Sequence, residues 1–323
     1  MNGRVAVITG ATSGIGFETA RALTDKGFLV IGTGRSQKKC EQAAAAIRAE
    51  QPSAAKSLRF VICDLASFNS VRAAAVEIEQ VLCSEGRGGN KSRGALEVLI
   101  NNAGTVSHRR IETDDGHELQ WQVNHLSPCL LTQLLLPCLK HSAQQLQRES
   151  RIITVASQSH RGARIHWKDP NLRRGYNPLR AYKQSKLANV LFTYEFNRRR
   201  MNRQRDEEMP VRAFAVDPGL VNTEIGHKNS AGPVYWIWTL RQHGGVSPAE
   251  GAATSLYLAS AASDELREAA RGDVGANAYW KNCRPIRSSR YSYKLKAAQR
   301  LWALSVQMCG ITDFTEMTGK SDE

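Results

Sequence analysis

Short apolar, β-branched runs alternate with stretches of helical periodicity along almost the whole chain, and this rhythm restricts the fold more than any other feature. Strands are expected at residues 4–9, 28–32, 58–63, 97–100, 151–156 and 211–216, with a short one near 276–280. Helices are expected at 14–26, 37–50, 67–82, 116–140, 180–200 and 248–260. Strands separated by a helix pair in parallel, because the crossover returns the chain to the same end of the sheet. Runs such as Val5-Ala6-Val7-Ile8 are unbroken in apolar residues, as parallel strands covered by helices on both faces must be. The fold class implied is α/β, a doubly wound parallel sheet.

The 323 residues are read as a single domain, 1–323, since apolar patterns continue one sheet on both sides of every polar stretch. Residues 84–94, polar and Gly-rich, read as a surface loop, 220–247 as a lid over a substrate site, and 318–323 as a flexible tail.

The first strand runs directly into Thr9-Gly10-Ala11-Thr12-Ser13-Gly14-Ile15-Gly16, which opens the first helix. Glycines at such a junction allow a tight turn and a close backbone approach to a pyrophosphate, and the helix start offers unpaired N–H groups to it. Gly10, Ser13, Gly14, Ile15 and Gly16 are therefore candidate cofactor contacts, and the sheet reads as Rossmann-type. About 20 residues past the glycines a dinucleotide fold that prefers NAD carries an acid. Here that slot holds Arg35, which would pair with a 2′-phosphate that a carboxylate would repel, so NADP(H) is the expected cofactor. At the end of the third strand, Asp64 and Leu65 are candidates as well: the Asp64 carboxylate would accept from an adenine amino group or cap the helix that follows.

Tyr182 and Lys186 stand at i and i+4 in an expected helix, one turn apart on the same face. A phenol with an ordinary pKa near ~10 is a poor base at neutral pH. An ammonium beside it favours the phenolate, so the pair suits acid–base work at a carbonyl or alcohol oxygen.

The formal net charge is +14. Its densest cluster, Arg198, Arg199, Arg200, Arg203 and Arg205, has no interleaved aromatic residues and reads as a solvated helix end; no nucleic-acid partner is expected. Seven scattered cysteines without CxxC or Cys/His spacing read as free thiols, and no metal is expected. No secretory signal is recognised and no run reaches the roughly 18 apolar residues of a spanning helix, so a cytoplasmic protein is expected. The basic balance permits peripheral contact with an intracellular membrane.

The glycine loop, Asn101-Asn102-Ala103-Gly104, Asn124, Ser157, Tyr182/Lys186 and Asp217-Pro218-Gly219 occur in the order of the short-chain dehydrogenase/reductase family, which the chain resembles over roughly residues 3–310. Trp121-Gln122-Val123-Asn124-His125-Leu126 and the long gap between Ser157 and Tyr182, with Ser159-His160 and Trp167 in it, look like its retinol-dehydrogenase-like branch. The resemblance implies roles. Tyr182 would be the general acid or base, Lys186 would lower its pKa and hold the nicotinamide ribose, and Ser157 would bond the substrate oxygen. Asn124 would fix a water. Asn101, Ala103 and Gly104 would line the cofactor, with Pro218, Gly219 and Thr223 on its nicotinamide side. Three departures, Ser127-Pro128 after Asn-His-Leu, Ala156 before Ser157 and Thr105-Val106 after Asn-Ala-Gly, bear on substrate more than on chemistry. The aromatic run Pro233–Leu240 in the lid and the resemblance together point to a lipophilic alcohol, aldehyde or ketone. The alternative is a catalytically quiet dinucleotide-binding regulator, though such proteins usually lack the Tyr or the Lys. The oligomeric state is open.

Overall fold

A computed structural model describes residues 4–85, 94–201, 211–221, 245–269 and 278–312. Thr223, Arg203, Arg205, the aromatic run 233–240, most of the 84–94 loop and 220–247 lid, and the 318–323 tail lie outside these residues.

Within β1 (Val5–Thr9), Val7 joins one core cluster while Ala6 and Ile8 join another. This is the two-residue period of a strand with helices on both faces. The strands β2 (Leu29–Gly34), β3 (Leu58–Ile62), β4 (Val98–Asn101), β5 (Ser150–Val155), β6 (Val211–Val216), β7 (Tyr279–Lys281) and β8 (Arg284–Pro285) complete one sheet in the order β3-β2-β1-β4-β5-β6-β7-β8. All pairings are parallel except the terminal β7–β8 hairpin. The chain crosses to the far side of β1 after β3, so the strand order reverses between β1 and β4. In such sheets the crevice forms at the carboxyl ends of the strands at that reversal.

The helices α1 (Gly14–Asp25) and α2 (Gln37–Glu50) cover one face and α3 (Phe68–Glu85) the other. Where one helix over 116–140 was expected, the chain makes α4 (Leu119–Trp121), a π-helical turn Gln122–Leu126, and α5 (Ser127–Leu146). The start is later because Gly116, at φ +77°, closes a turn with Thr113. The Glu118 carboxylate then caps the helix by accepting from Trp121 N at 2.8 Å. The end is later because Ser142 and Ala143 remain buried after the apolar pattern fades.

Next come α6 (Pro178–Met201), α7 (Pro248–Ser260), α8 (Ser263–Ala269) and α9 (Leu295–Cys309); the last two were not among the helices expected from the sequence. In α9 the buried positions Leu301, Trp302, Ser305 and Cys309 recur at helical spacing, and Trp302 stacks on Phe192 of α6 with ring centroids 5.1 Å apart. The basic end of α6 is not simply solvated. Glu195 is fully buried, and Arg198 and Arg199 pair with it at 2.6 and 2.7 Å, because a desolvated carboxylate needs a cation. No described helix is long and apolar enough to cross a membrane.

Candidate active site

A cleft of about 490 Å³ opens where the strand order reverses. Gly10, Ser13, Gly14, Ile15 and Gly16 line one end of it. Gly10 and Gly14 have φ of +67° and +58°, values costly for any residue with a Cβ. A Cβ on Gly16 would fall 2.3 Å from Gly10 O and 2.4 Å from Asn102 Nδ2, so the helix approaches the strand as only glycine permits. The Ser13 side chain does not cap α1, and the helix has no acid in its first turn. Its leading N–H groups, which have no intrahelical partner, are thus left for an anion in the cleft.

Beside the glycine loop the walls are Arg35, Asp64 and Leu65. Arg35 is exposed just past β2, and α2 also begins without an acid. Asp64 faces the cleft, and its Oδ1 accepts from Ala66 N at 3.0 Å in the turn before α3; it does not cap that helix, whose Phe68 N donates to Asp115 Oδ2 at 2.8 Å. Ala103 and Gly104 line the cleft floor. Asn101 does not; its Nδ2 donates to Thr132 Oγ1 at 3.0 Å and fastens β4 to α5. Its neighbour Asn102 lines the cleft instead and donates through Nδ2 to Thr9 O at 2.8 Å, tying the glycine loop to the end of β4. Thr9 completes the tie, its hydroxyl accepting from Asn102 N and Ala103 N at 3.0 Å each.

At the other end α6 presents Tyr182 and Lys186, and the residue after β5 and Ala156 is Ser157. All three line the cleft. Burial pushes the Tyr182 phenol up to about 12, opposed by a hydrogen bond with Ser157 and reinforced by the charge of Asp217. Burial alone pushes the Lys186 amine down to about 8. The amine sits 5.7 Å from the Tyr182 ring centroid and donates to Val155 O at 2.8 Å. At neutral pH the phenol therefore holds its proton and the amine is largely charged. A buried, proton-bearing phenol with a hydroxyl partner and an ammonium behind it can donate to an oxygen that gains negative charge.

Asn124 lies in the π-helical turn, a distortion that re-aims side chains at functional sites. It does not line the cleft. Its Oδ1 accepts from Thr105 N at 2.7 Å, and its Nδ2 donates to Thr105 O and Ser185 Oγ at 3.0 Å each. The position a Cβ of Gly104 would take lies 3.5 Å from both Asn124 Oδ1 and Lys186 Nζ, so the amide and the amine both lie close to that glycine. Pro218 and Gly219 also line the cleft, the latter donating its N–H to Asp217 Oδ1 at 3.1 Å.

Several supporting contacts were given no role from the sequence. His160 Nδ1 lies 2.7 Å from Ser157 O, and its Nε2 lies 3.0 Å from Ser289 N. Ser289 N–H can only donate, so Nε2 accepts and Nδ1 carries the proton donated to Ser157 O. Lys281 donates to Gln158 Oε1 at 3.2 Å and pairs with Asp217 Oδ2 at 3.5 Å, joining the loops after β5 and β6. Leu119, Val123 and Pro248 add apolar wall. Pro248 begins α7 with a Ser247/Glu250 capping box, a pattern visible in the sequence that says nothing of where the helix points.

Comparison with known proteins agrees with this arrangement. The family model for short chain dehydrogenase matches residues 4–233. Human polyprenol dehydrogenase is 36% identical over 321 residues, 97% of this chain and 87% of the relative. Human retinol dehydrogenase 13 is 35% identical over 320 residues, 96% of this chain and 85% of the relative. Among solved structures, an uncharacterized protein from Mycobacterium paratuberculosis superposes with a TM-score of 0.68 at 32% identity, covering 96% of this chain and 94% of that one. The NADPH-bound carbonyl reductase from chicken fatty liver, at 22% identity and a TM-score of 0.60 over 89% of this chain and all of that one, shares the fold. With a parallel sheet that reverses at a glycine-lined cleft, and a tyrosine, lysine and serine gathered at its other end, the chain belongs to the short-chain dehydrogenase/reductase family, in the retinol-dehydrogenase-like branch.

Proposed function

We propose that the protein is an NADP-dependent oxidoreductase that interconverts a lipophilic alcohol and its aldehyde or ketone. The observation that carries the reading is the meeting of Ser157, Tyr182 and Lys186 in the same cleft as the glycine loop. That cleft fits a nicotinamide dinucleotide. Gly10, Gly14 and Gly16 clear room for its phosphates at the start of α1, and Asp64, Leu65, Ala103 and Gly104 flank the path to the catalytic end. When bound there, the dinucleotide gives or takes the hydride.

The chain's own residues manage the oxygen and its proton. In reduction Ser157 orients the carbonyl oxygen and Tyr182 protonates it as charge develops. Lys186 replaces part of the lost solvation of the phenolate left behind, and Asn124 fixes Thr105 and α6 around the amine. In oxidation the same phenol, once deprotonated, takes the proton of the alcohol. Lys186 is held on Val155 O at 2.8 Å, which keeps it behind the ring rather than in the path of substrate.

Arg35 supports NADP over NAD, since it offers a bidentate guanidinium where a carboxylate would reject a phosphate. Apolar walls at Leu119 and Val123 suit a hydrocarbon substrate, as do the names of the polyprenol and retinol dehydrogenases it resembles. Oxidation of NADPH or NADH with retinal, a long-chain prenal and a small polar ketone tests both parts. Turnover with NADPH on the two lipophilic aldehydes is the expected outcome. Arg35→Asp should then weaken NADPH binding about 10–100-fold, the worth of one charged hydrogen-bonding group, and leave NADH little changed. Tighter binding of NADH by the unaltered protein would refute the cofactor assignment.

A further inference from the structure

Two segments, 157–168 and 284–312, carry nine Lys and Arg residues and no Asp or Glu. The fold lays them against each other. Arg161 donates to Arg287 O at 2.5 Å and Ser288 O at 3.5 Å, and Trp167 Nε1 donates to the Tyr291 hydroxyl at 3.3 Å. Arg164 covers the Tyr291 ring at 4.8 Å with Lys294 5.5 Å from its centroid, and Arg300 covers Trp167 at 4.7 Å. Arg161, Arg164, Arg287, Arg290, Lys294 and Arg300 are all exposed. The acid that follows the first segment, Asp169, accepts from the backbone N–H of Arg174, and the second segment is followed in sequence by Asp313. In the middle of these cations stand Tyr293, 41% exposed, and Leu295, 51% exposed.

Cations gathered without interspersed acids repel one another, and a folded chain that holds them on one face presents a strong positive field to whatever approaches. We infer that this face docks the protein on a bilayer surface containing anionic phospholipid. Headgroup phosphates neutralise the array, and Tyr293 and Leu295 supply the apolar contact that settles a peripheral protein at the interface. A single-stranded nucleic acid is a poorer match, because such strands need aromatic faces to stack on. Tyr291 and Trp167 are already covered by guanidinium and ammonium groups, and Tyr293 is stacked on Tyr194 at 5.4 Å. The surface backs directly onto the catalytic serine, since Ser289 N donates to His160 and His160 to Ser157 O.

The test is co-sedimentation of the full chain with phosphatidylcholine vesicles and with mixed phosphatidylcholine/phosphatidylserine vesicles, at low and high salt. Binding to the mixed vesicles alone, weakened by salt, is expected. The doubly reversed variant Arg290→Glu/Lys296→Glu alters two exposed residues and should lose about tenfold or more in vesicle partitioning, each basic residue near a charged bilayer being worth about fivefold. Lys26→Glu/Lys56→Glu makes the same change of charge at two other exposed positions and should bind nearly as the unaltered protein does. Leu295→Ser should weaken binding without removing its salt dependence. Equal loss in both double variants, equal binding to phosphatidylcholine alone, or binding to a nucleic-acid duplex or polyglutamate without binding to mixed vesicles would each overturn the proposal. Thermal melts of each variant confirm that it is folded. If Arg290→Glu/Lys296→Glu does not fold, the vesicle and salt comparison on the unaltered protein decides: absence of phosphatidylserine-dependent binding rejects the docking face.

Discussion

Gly10, Gly14 and Gly16 shape one end of the cleft with bare backbone, whereas Ser157, Tyr182 and Lys186 at the other end depend on side chains reaching in from distant parts of the fold. At the glycine end the requirement is an absence: no Cβ where α1 meets β1, no acid in the first turn of α1, no side-chain cap on its N–H groups. At the catalytic end the requirement is a set of presences. Lys186 is fixed by Val155 O, the loop after Ser157 by His160 and Lys281, and Asn124 by both Thr105 and Ser185. A binding surface can thus be made from local geometry, but a buried phenol–amine pair needs a surrounding shell to hold it in place.

If the ends differ in this way, substitutions should separate them. Among the groups around the phenol the largest effect is expected from Ser157→Ala, which removes its hydroxyl partner: kcat for carbonyl reduction should fall about 10²–10³-fold while cofactor affinity holds. A fall in cofactor affinity of the same size would erase the distinction. Gly16→Ala should do the opposite, costing about 1–3 kcal/mol of stability from overpacking and weakening dinucleotide binding, because its Cβ would meet Gly10 O at 2.3 Å. Thermal melts and a fluorescence titration with NADPH measure both. His160→Leu leaves Ser289 N–H without its partner and takes the imidazole from Ser157 O, which keeps only the backbone N–H of residue 160; about 1–3 kcal/mol of stability should be lost, with kcat lowered and cofactor affinity unchanged.

The smallest effect is a pH dependence. Lys186 titrates near 8 in the fold against 10.5 for the ordinary amine. Between those values the unfolded chain binds more protons than the folded one, so this group adds stability as pH rises through that window. Tyr182 acts in the opposite sense above pH 10, where the unfolded phenol loses its proton first. Urea midpoints from pH 8 to 10 should therefore climb less steeply in Lys186→Met than in the unaltered protein, and identical slopes would show that Lys186 is not the buried amine described.

The backbone-built end was legible because its signal is local. Thr9–Gly16 follows a strand and opens a helix, and Arg35 falls at a fixed distance beyond it. Tyr182 and Lys186 were legible for the same reason, being one helical turn apart. The shell was not. His160 and Ser289 are 129 positions apart, Gln158 and Lys281 are 123 apart, and His125 meets Ser305 across 180. No periodicity links such pairs; only the packing of α6, α9 and the β7–β8 hairpin brings them together. The start of the long helix was missed because Gly116 looks like a helix opening until its φ of +77° places it in a turn. Asn101 and Asn102 are adjacent and chemically identical, and only the strand's alternation decides that the first points to Thr132 and the second toward Thr9 and the glycine loop.

The central claim is that the proton moves through residue 182. Reduction of a lipophilic aldehyde by NADPH at neutral pH, compared between the unaltered protein and Tyr182→Phe with NADPH affinity measured in parallel, tests it most directly. The account predicts a loss of kcat of about 10²–10⁴-fold with cofactor affinity intact. A Tyr182→Phe protein that still turns over within a few-fold of the original would contradict it.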